Sequence, residues 1–341
     1  MQDIEIGAKL QIFRQACQKG VRWILNQFNQ DGSLGDVGER VYYYRVPWAL
    51  ALMGETEVAH RLLDWIDKNM VTSEGEFKGI STQGKPDQRY NSYPLACLIY
   101  GAILLGRLDL VRRCTPSLLS WQDPESGGFF GNRGEGLSGD QELFPTAQAG
   151  MTLSLVGRVQ EAVKAGEWLQ KLWELQPDPE QHLYAVWRRS GGLVRNYDPV
   201  EELFYITKKN EPWQHHFNGG IAAACLVHLY EATGTPGWMQ LARKYEHFSM
   251  STAEIQFQSK QVCKSGWGSG LLYVTTRDQM YRDWTIRMGD WFVQHQLDDG
   301  HWENTRFWNP KPTLGDNILV TAEFVMHLAN IRGYLSVNPE P

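Results

Sequence analysis

The chain lacks most of the features that assign a function quickly. Its five cysteines, Cys17, Cys97, Cys114, Cys225 and Cys263, are odd in number, scattered and never spaced as CxxC. That argues against a disulfide framework or a thiolate metal site and predicts core or free thiols. There is no basic excess: 33 Lys and Arg stand against 39 Asp and Glu, a formal net charge of -6. A surface of that balance cannot neutralise many phosphates, so no nucleic-acid partner is expected. No uncharged apolar run is long enough for a transmembrane helix. The first residues, MQDIEIGAKLQIF, put acids ahead of any apolar run, unlike a secretory signal, and a cytoplasmic protein is expected. No Pro-, Gly- or Ser-rich linker divides the 341 residues, so one domain over 1–341 is expected. Neither GxSxG nor HExxH occurs, and GEGLSG at 134–139 follows no strand of a βαβ unit and reads as a loop.

What is present is a repeat. KGVRWILNQFNQDGSL (19–34), DWIDKNMVTSEGEF (64–77), LLSWQDPESGGFF (118–130) and MGDWFVQHQLDDGHW (288–302) each run from an apolar helical stretch through an acidic or Gln-rich turn into a Gly-aromatic step. The period is roughly 45 to 55 residues, in the range of helical-pair repeats. Amphipathic stretches near 8–29, 56–70, 107–122, 158–175, 237–250 and 278–296 predict outer helices. Stretches apolar on nearly every face, near 42–53, 91–105, 145–156, 216–232, 267–274 and 316–331, predict inner ones. Pro47 fits only the first turn of its helix. Six such pairs suit an all-α fold, an (α/α)6 double-ring barrel or toroid. The segment 183–213, with apolar runs flanking Ser-Gly-Gly, predicts a β-hairpin-like insertion.

The pattern Lys19-Gly20-Trp23-Gln27-Gly32-Leu34 and Gly289-Phe292-Gln296-Gly300-Trp302 resembles the QW repeat of triterpene cyclases. Weaker copies are Trp65-Asn69-Gly75-Phe77 and Leu118-Gln122-Gly128-Phe130. The similarity points to the terpenoid cyclase and protein prenyltransferase α/α toroid superfamily and extends over most of the chain. The repeat Gln, Gly and Trp read as fasteners of the ring, the Gln bonding orphan carbonyls or a neighbouring helix. The chemistry of that superfamily is not matched. There is no DxDD acid, only Asp298-Asp299 in a repeat turn, and no DDxxD metal motif. No Asp-x-Cys pair could hold zinc, so a zinc role for Asp316 with His327 is not expected. The resemblance then implies a non-classical cyclase without metal or cofactor, acting by cavity shape on a hydrophobic small molecule, a terpenoid or polyketide polyene, in a Diels-Alder type or related cyclisation.

Because each repeat leads into an inner helix, the inner N-termini gather at one mouth, where helix dipoles add positive potential. His215, His216, Arg45 and Tyr44 are candidate carbonyl donors there, and Asp316 and Glu323 candidate acids. Tyr42, Trp48, Tyr90, Asn91, Tyr93, Phe144, Gln148, Trp213, Asn218, Trp267, Phe307 and Trp308 are candidate substrate contacts. Adjacent histidines on a helix diverge by roughly 100°, so only one of His215 and His216 faces inward. Arg45 has an alternative as the buried partner of Glu142 or Glu323. Two rival readings remain. One is an (α/α)6 glycoside hydrolase or polysaccharide lyase using Asp87, Asp140, Glu142 and Asp316, which carboxylates about 5–10 Å apart in an open groove would favour. The other is a non-catalytic binding toroid.

Overall fold

A computed structural model describes residues 2–36, 43–78, 81–82, 85–86, 92–131, 138–304 and 311–337. Among them lie α1 (Gln2–Leu25), α2 (Val46–Leu52), α3 (Thr56–Met70), α4 (Ser92–Leu104), α5 (Leu108–Leu119), α6 (Leu143–Leu155), α7 (Val159–Glu174), α8 (Glu202–Tyr205), α9 (Asn218–Thr233), α10 (Pro236–Met250), α11 (Ser265–Thr276), α12 (Gln279–Gln294) and α13 (Leu314–Leu335). The inner helices α2, α4, α6, α9, α11 and α13 pack each on the next, and α13 packs back on α2. The outer helices lie against this ring: α3 on α2, α5 on α4, α7 between α6 and α9, α10 between α9 and α11, α12 between α11 and α13, and α1 on α13 and α12. This is the expected double ring, with two corrections at the edges. The first helix stops at Leu25 because residues 26–36 fold into a tight turn closed by a Phe28–Leu34 bridge, and the last inner helix is longer than its periodicity indicated.

Burial explains which helix goes where. In α4 every residue from Ser92 to Ile99 is buried, and in α9 every residue from Asn218 to Val227. A helix without a polar face is stable only when enclosed. In α3 the buried set is Ala59, Leu62, Leu63, Ile66 and Met70, one stripe at helical spacing, and the opposite face meets solvent. Pro47 lies in the first turn of α2, as its missing donor requires.

The repeat turns dock each outer helix on the next. Gln122 Nε2 donates to Gly127 O (3.0 Å) and across to Glu161 O of α7 (2.8 Å). Gln296 Nε2 does the same to Gly300 O (2.8 Å) and Ala16 O of α1 (2.9 Å). Gly127 (φ 86°) and Gly300 (φ 103°) are left-handed, and a Cβ on either would strike the carbonyl of Lys164 or Lys19 on that neighbouring helix. Glycine is therefore required both for conformation and for approach. In the third copy the turn glycine is Gly127, one residue before the Gly128 of the sequence pattern. The loop at 134–139 lies mostly outside the described residues.

The insertion is present and larger than one hairpin. β1 (Ser81–Thr82) and β2 (Lys85–Pro86) form a short pair elsewhere, while β3 (Gln141–Glu142), β5 (Val186–Arg188) and β6 (Gly192–Leu193) make a small antiparallel sheet. β5 and β6 are the hairpin around Ser190-Gly191-Gly192. β4 (His182–Tyr184) pairs with β7 (Ile206–Lys208), and α8 sits between β6 and β7. Arg189 bonds both oxygens of buried Asp123, and Arg188 pairs with Asp140, which tie the insertion to the turn and loop ahead of α6. No described helix is long and apolar enough to cross a membrane.

Candidate functional site

The inner-helix N-termini meet in a belt of aromatic and charged side chains. Arg45 immediately precedes α2, Tyr93 is in the first turn of α4, Phe144 in that of α6, Phe217 precedes α9 and Lys264 precedes α11. Tyr44 meets Tyr93 edge-on at 6.3 Å, Tyr93 meets Phe144 at 5.2 Å, Phe144 meets His215 at 6.2 Å and Phe217 at 5.9 Å, and Phe204 of the insertion reaches His215 at 5.7 Å. Lys264 Nζ lies 4.0 Å from the Phe217 ring centre and Arg45 stands over Tyr44 and Tyr93 at 5.1 and 5.4 Å, contacts in which a cation gains from the ring faces.

Glu323, more than two turns into α13, ties this belt together. Its Oε2 accepts from Arg45 Nη1 at 2.6 Å, its Oε1 from Lys264 Nζ at 2.6 Å, and Arg45 Nη2 donates to Tyr93 Oη at 2.9 Å. Burial would raise the Glu323 pKa, but the Arg45 and Lys264 charges outweigh it and hold the carboxyl well below the usual range. Burial likewise opposes the Arg45 charge, and Glu323 reverses that effect and raises the guanidinium. Of the two partners named for Arg45 from sequence, Glu323 is the one it bonds. A carboxylate so paired is no proton donor near neutral pH, which corrects its expected role as an acid.

One turn below, the ring is filled. Trp48 stacks on Tyr100 at 3.9 Å and meets Trp267 at 5.6 Å, and Trp267 lies 5.4 Å from His327. Trp48, Trp267 and His327 are buried, so they plug the ring and do not wall an open cage. Burial lowers the His327 pKa to about 4. Cys263, Glu323 and His327 bring three ligand types within 4.8 Å of one another. That trio does not fit a metal. The Lys264 ammonium already holds Glu323 and stands 3.7 Å from Cys263 Sγ, and burial pushes the thiol up to about 12, away from the thiolate a metal needs.

The two histidines diverge. His215, 6% exposed, joins the aromatic belt. His216 is fully buried, its ring nitrogens without a hydrogen-bond partner, and burial brings its pKa down to about 4. They precede α9, so the divergence comes from a turn and not from helical spacing. Asp316 closes a capping box with Thr313, its Oδ2 accepting from Thr313 N at 3.0 Å, which gives it a role at the helix end in place of the expected acid. Asn218 Nδ2 donates to Thr207 Oγ1 at 3.1 Å, Gln148 Nε2 to Thr152 Oγ1 at 3.4 Å, and both residues are buried. Trp213 is half-buried in a loop with φ 61°. Tyr42, Tyr90, Asn91, Phe307 and Trp308 lie outside the described residues. Of the carboxylates of the hydrolase reading, Asp140 is bonded by Arg188 and by Tyr205 Oη (2.7 Å), Glu142 is buried at the start of α6, and Asp87 lies outside the described residues. Phe217 and Phe204 were missed as members of the belt. Lys264, directly ahead of an apolar inner helix, was readable as a residue of the mouth, but its pairing with Glu323 was not.

No family model matches the chain, and no curated protein matches it. Solved structures do. A D-mannose isomerase superposes with a TM-score of 0.68 at 12% identity, covering 94% of this chain and 96% of its own. A sugar epimerase from a ruminal bacterium gives 0.66 at 12%, covering 99% and 100%. A family 76 α-mannanase of Bacteroides thetaiotaomicron gives 0.59 at 14%, covering 93% and 95%. These overturn the expectation of a terpenoid or polyketide cyclase of the Diels-Alder kind: the toroid is shared, but these counterparts are sugar enzymes. At such identities the likeness establishes the (α/α)6 double ring, and the reaction has to be argued from the residues at its mouth.

Proposed function

We propose that the chain is a carbohydrate-active enzyme whose substrate sits at the N-terminal mouth of the inner ring. The observation that carries this reading is the belt itself. Flat aromatic faces (Tyr44, Tyr93, Phe144, Phe217) stand beside charged donors (Arg45, Lys264) on a toroid whose solved counterparts include a mannose isomerase, a sugar epimerase and mannanases. Ring faces take the C–H side of a pyranose and the donors take its hydroxyls.

The geometry favours proton transfer at a reducing sugar. Aldose isomerisation or epimerisation needs a base at the carbon next to the carbonyl and donors for the oxygen that becomes negative. His215 is the base in this scheme, and Arg45, Lys264 and Tyr93 are the donors. Glycoside cleavage is the second reading, favoured by the mannanase fold and by Glu142 beside Phe144, with Glu142 as one of the two carboxyl groups that reaction requires.

Incubation with free aldoses in D2O, followed by NMR, tests the first reading through deuterium uptake at C2 and ketose or epimer formation. Reducing-end release from α-1,6-mannan oligosaccharides tests the second. His215→Asn should lower exchange by roughly 10²- to 10⁴-fold, the usual worth of a general base. Turnover of neither substrate class would overturn the proposal.

A further inference from the structure

Two buried cations share one carboxylate at the mouth, and they sit at the wrong end of their helices. Lys264 is the N-cap residue of α11 and Arg45 that of α2, where helix dipoles oppose positive charge. Neither makes a side-chain cap bond. By contrast α13 has a full capping box. Ser, Thr, Asn or Asp would have served each open end better. Arg45 is 7% exposed and Lys264 4%, and Arg45 Nε has no hydrogen-bond partner. Buried cations beyond what their counter-ion neutralises are costly, and among the described residues the neighbouring titratable groups stay neutral: burial raises the pKa of Tyr93, Cys97 and Cys263, and it lowers that of His327 with the same result.

We infer that the substrate is an anionic sugar, whose carboxylate, phosphate or sulfate group docks against Arg45, Lys264 and the N-terminus of α11. The inference rests on the sugar-acting reading and narrows it. The ligand's oxyanion supplies the charge that Glu323 alone does not, and backbone N–H groups at the start of α11 add donors for its oxygens. Arg45 is fixed by Glu323 and Tyr93 before the ligand arrives, so little ordering is needed on binding.

Calorimetric titration of the full chain with matched probes tests this: mannose against mannose 6-phosphate, glucose against glucuronate and glucose 6-sulfate, and inorganic phosphate alone. The anionic member should bind at least tenfold tighter than its neutral parent and weaken as salt rises, and the tightest of the three names the oxyanion. Lys264→Met should erase the preference, and Lys264→Arg, which keeps the charge and protects against a mere folding defect, should retain it. Equal binding of neutral and anionic sugars, or a preference that survives Lys264→Met, would overturn the inference. If phosphate alone binds and no sugar of either charge does, the anion site stands and the sugar reading fails. If nothing binds, both fail.

Discussion

Arg45 donates to Glu323 at 2.6 Å across 278 residues of sequence. The bond joins the first inner helix to the last, at the seam where the ring closes. Lys264 holds the other oxygen of the same carboxylate from the fifth inner helix. One side chain thereby ties two helix starts, those of α2 and α11, to the third turn of α13.

Removing that carboxylate's charge leaves two buried cations facing each other. Glu323→Gln should cost about 3–5 kcal/mol, the usual penalty for breaking a buried ion pair from one side. Urea unfolding at pH 7 measures it, and a midpoint equal to the parent's would show that Arg45 and Lys264 find other partners.

Acid should destabilise the fold through its buried histidines. His216 has a pKa of about 4 in the folded chain because burial disfavours its cation, against about 6.5 unfolded. Its contribution is complete above pH 6.5 and is lost as pH falls toward 4, since the unfolded chain takes up the proton first. His327 follows the same course. The stability lost between pH 7 and 4.5 should shrink by about 2–3 kcal/mol in His216→Met. An unchanged loss would mean that His216 is charged, or solvated, in the native state.

Glu246 works in the opposite direction. It is fully buried between α10 and α11, accepts from Ser265 Oγ at 2.9 Å, and burial, only partly offset by that bond, holds its pKa well above 4.5. The folded chain keeps this proton while the unfolded chain releases it above pH 4.5, so stability falls as pH rises from there toward the folded pKa. Glu246→Gln should therefore gain on the parent progressively as pH increases. A constant gap in unfolding midpoint from pH 5 to 8 would show that the carboxyl does not titrate this way.

The repeat turns carry stability and no chemistry. Gln296→Ala removes two bonds to carbonyls and should cost about 1–3 kcal/mol. Gly300→Ala puts a Cβ 2.6 Å from Lys19 O at φ 103° and should cost more than about 1 kcal/mol. Ligand affinity should stay within twofold in either variant at temperatures where it is folded. A selective loss of affinity would place the turn in the site.

The double ring was legible because its cause is local. Apolar period and Gly-Gln turns decide which helices are enclosed, and six repetitions leave little choice of closure. The misreading of the reaction came from the same turns. They resemble a cyclase signature, yet Gln122 and Gln296 spend their donors on their own turn and on the neighbouring outer helix. Arg45 and Glu323 were readable as opposite charges in apolar helices that had to meet. Lys264 was readable as a residue of the mouth but not as a partner of Glu323, because only ring closure brings the start of α11 against the third turn of α13. Asp316 was legible and misjudged: Thr313-x-x-Asp316 before an apolar run has the form of a capping box.

The placement of α13 sets the order of assembly. It closes the inner ring between α11 and α2 and also carries α1 on its outer side, so neither layer can shut until residues 314–335 have left the ribosome. Before then α2 and α11 expose apolar flanks with no neighbour. The seam joins segments about as far apart in the chain as any two can be, which makes it costly in loop entropy and late to form. A nascent chain stalled short of α13 should therefore be aggregation-prone although five of its inner helices have already been synthesised.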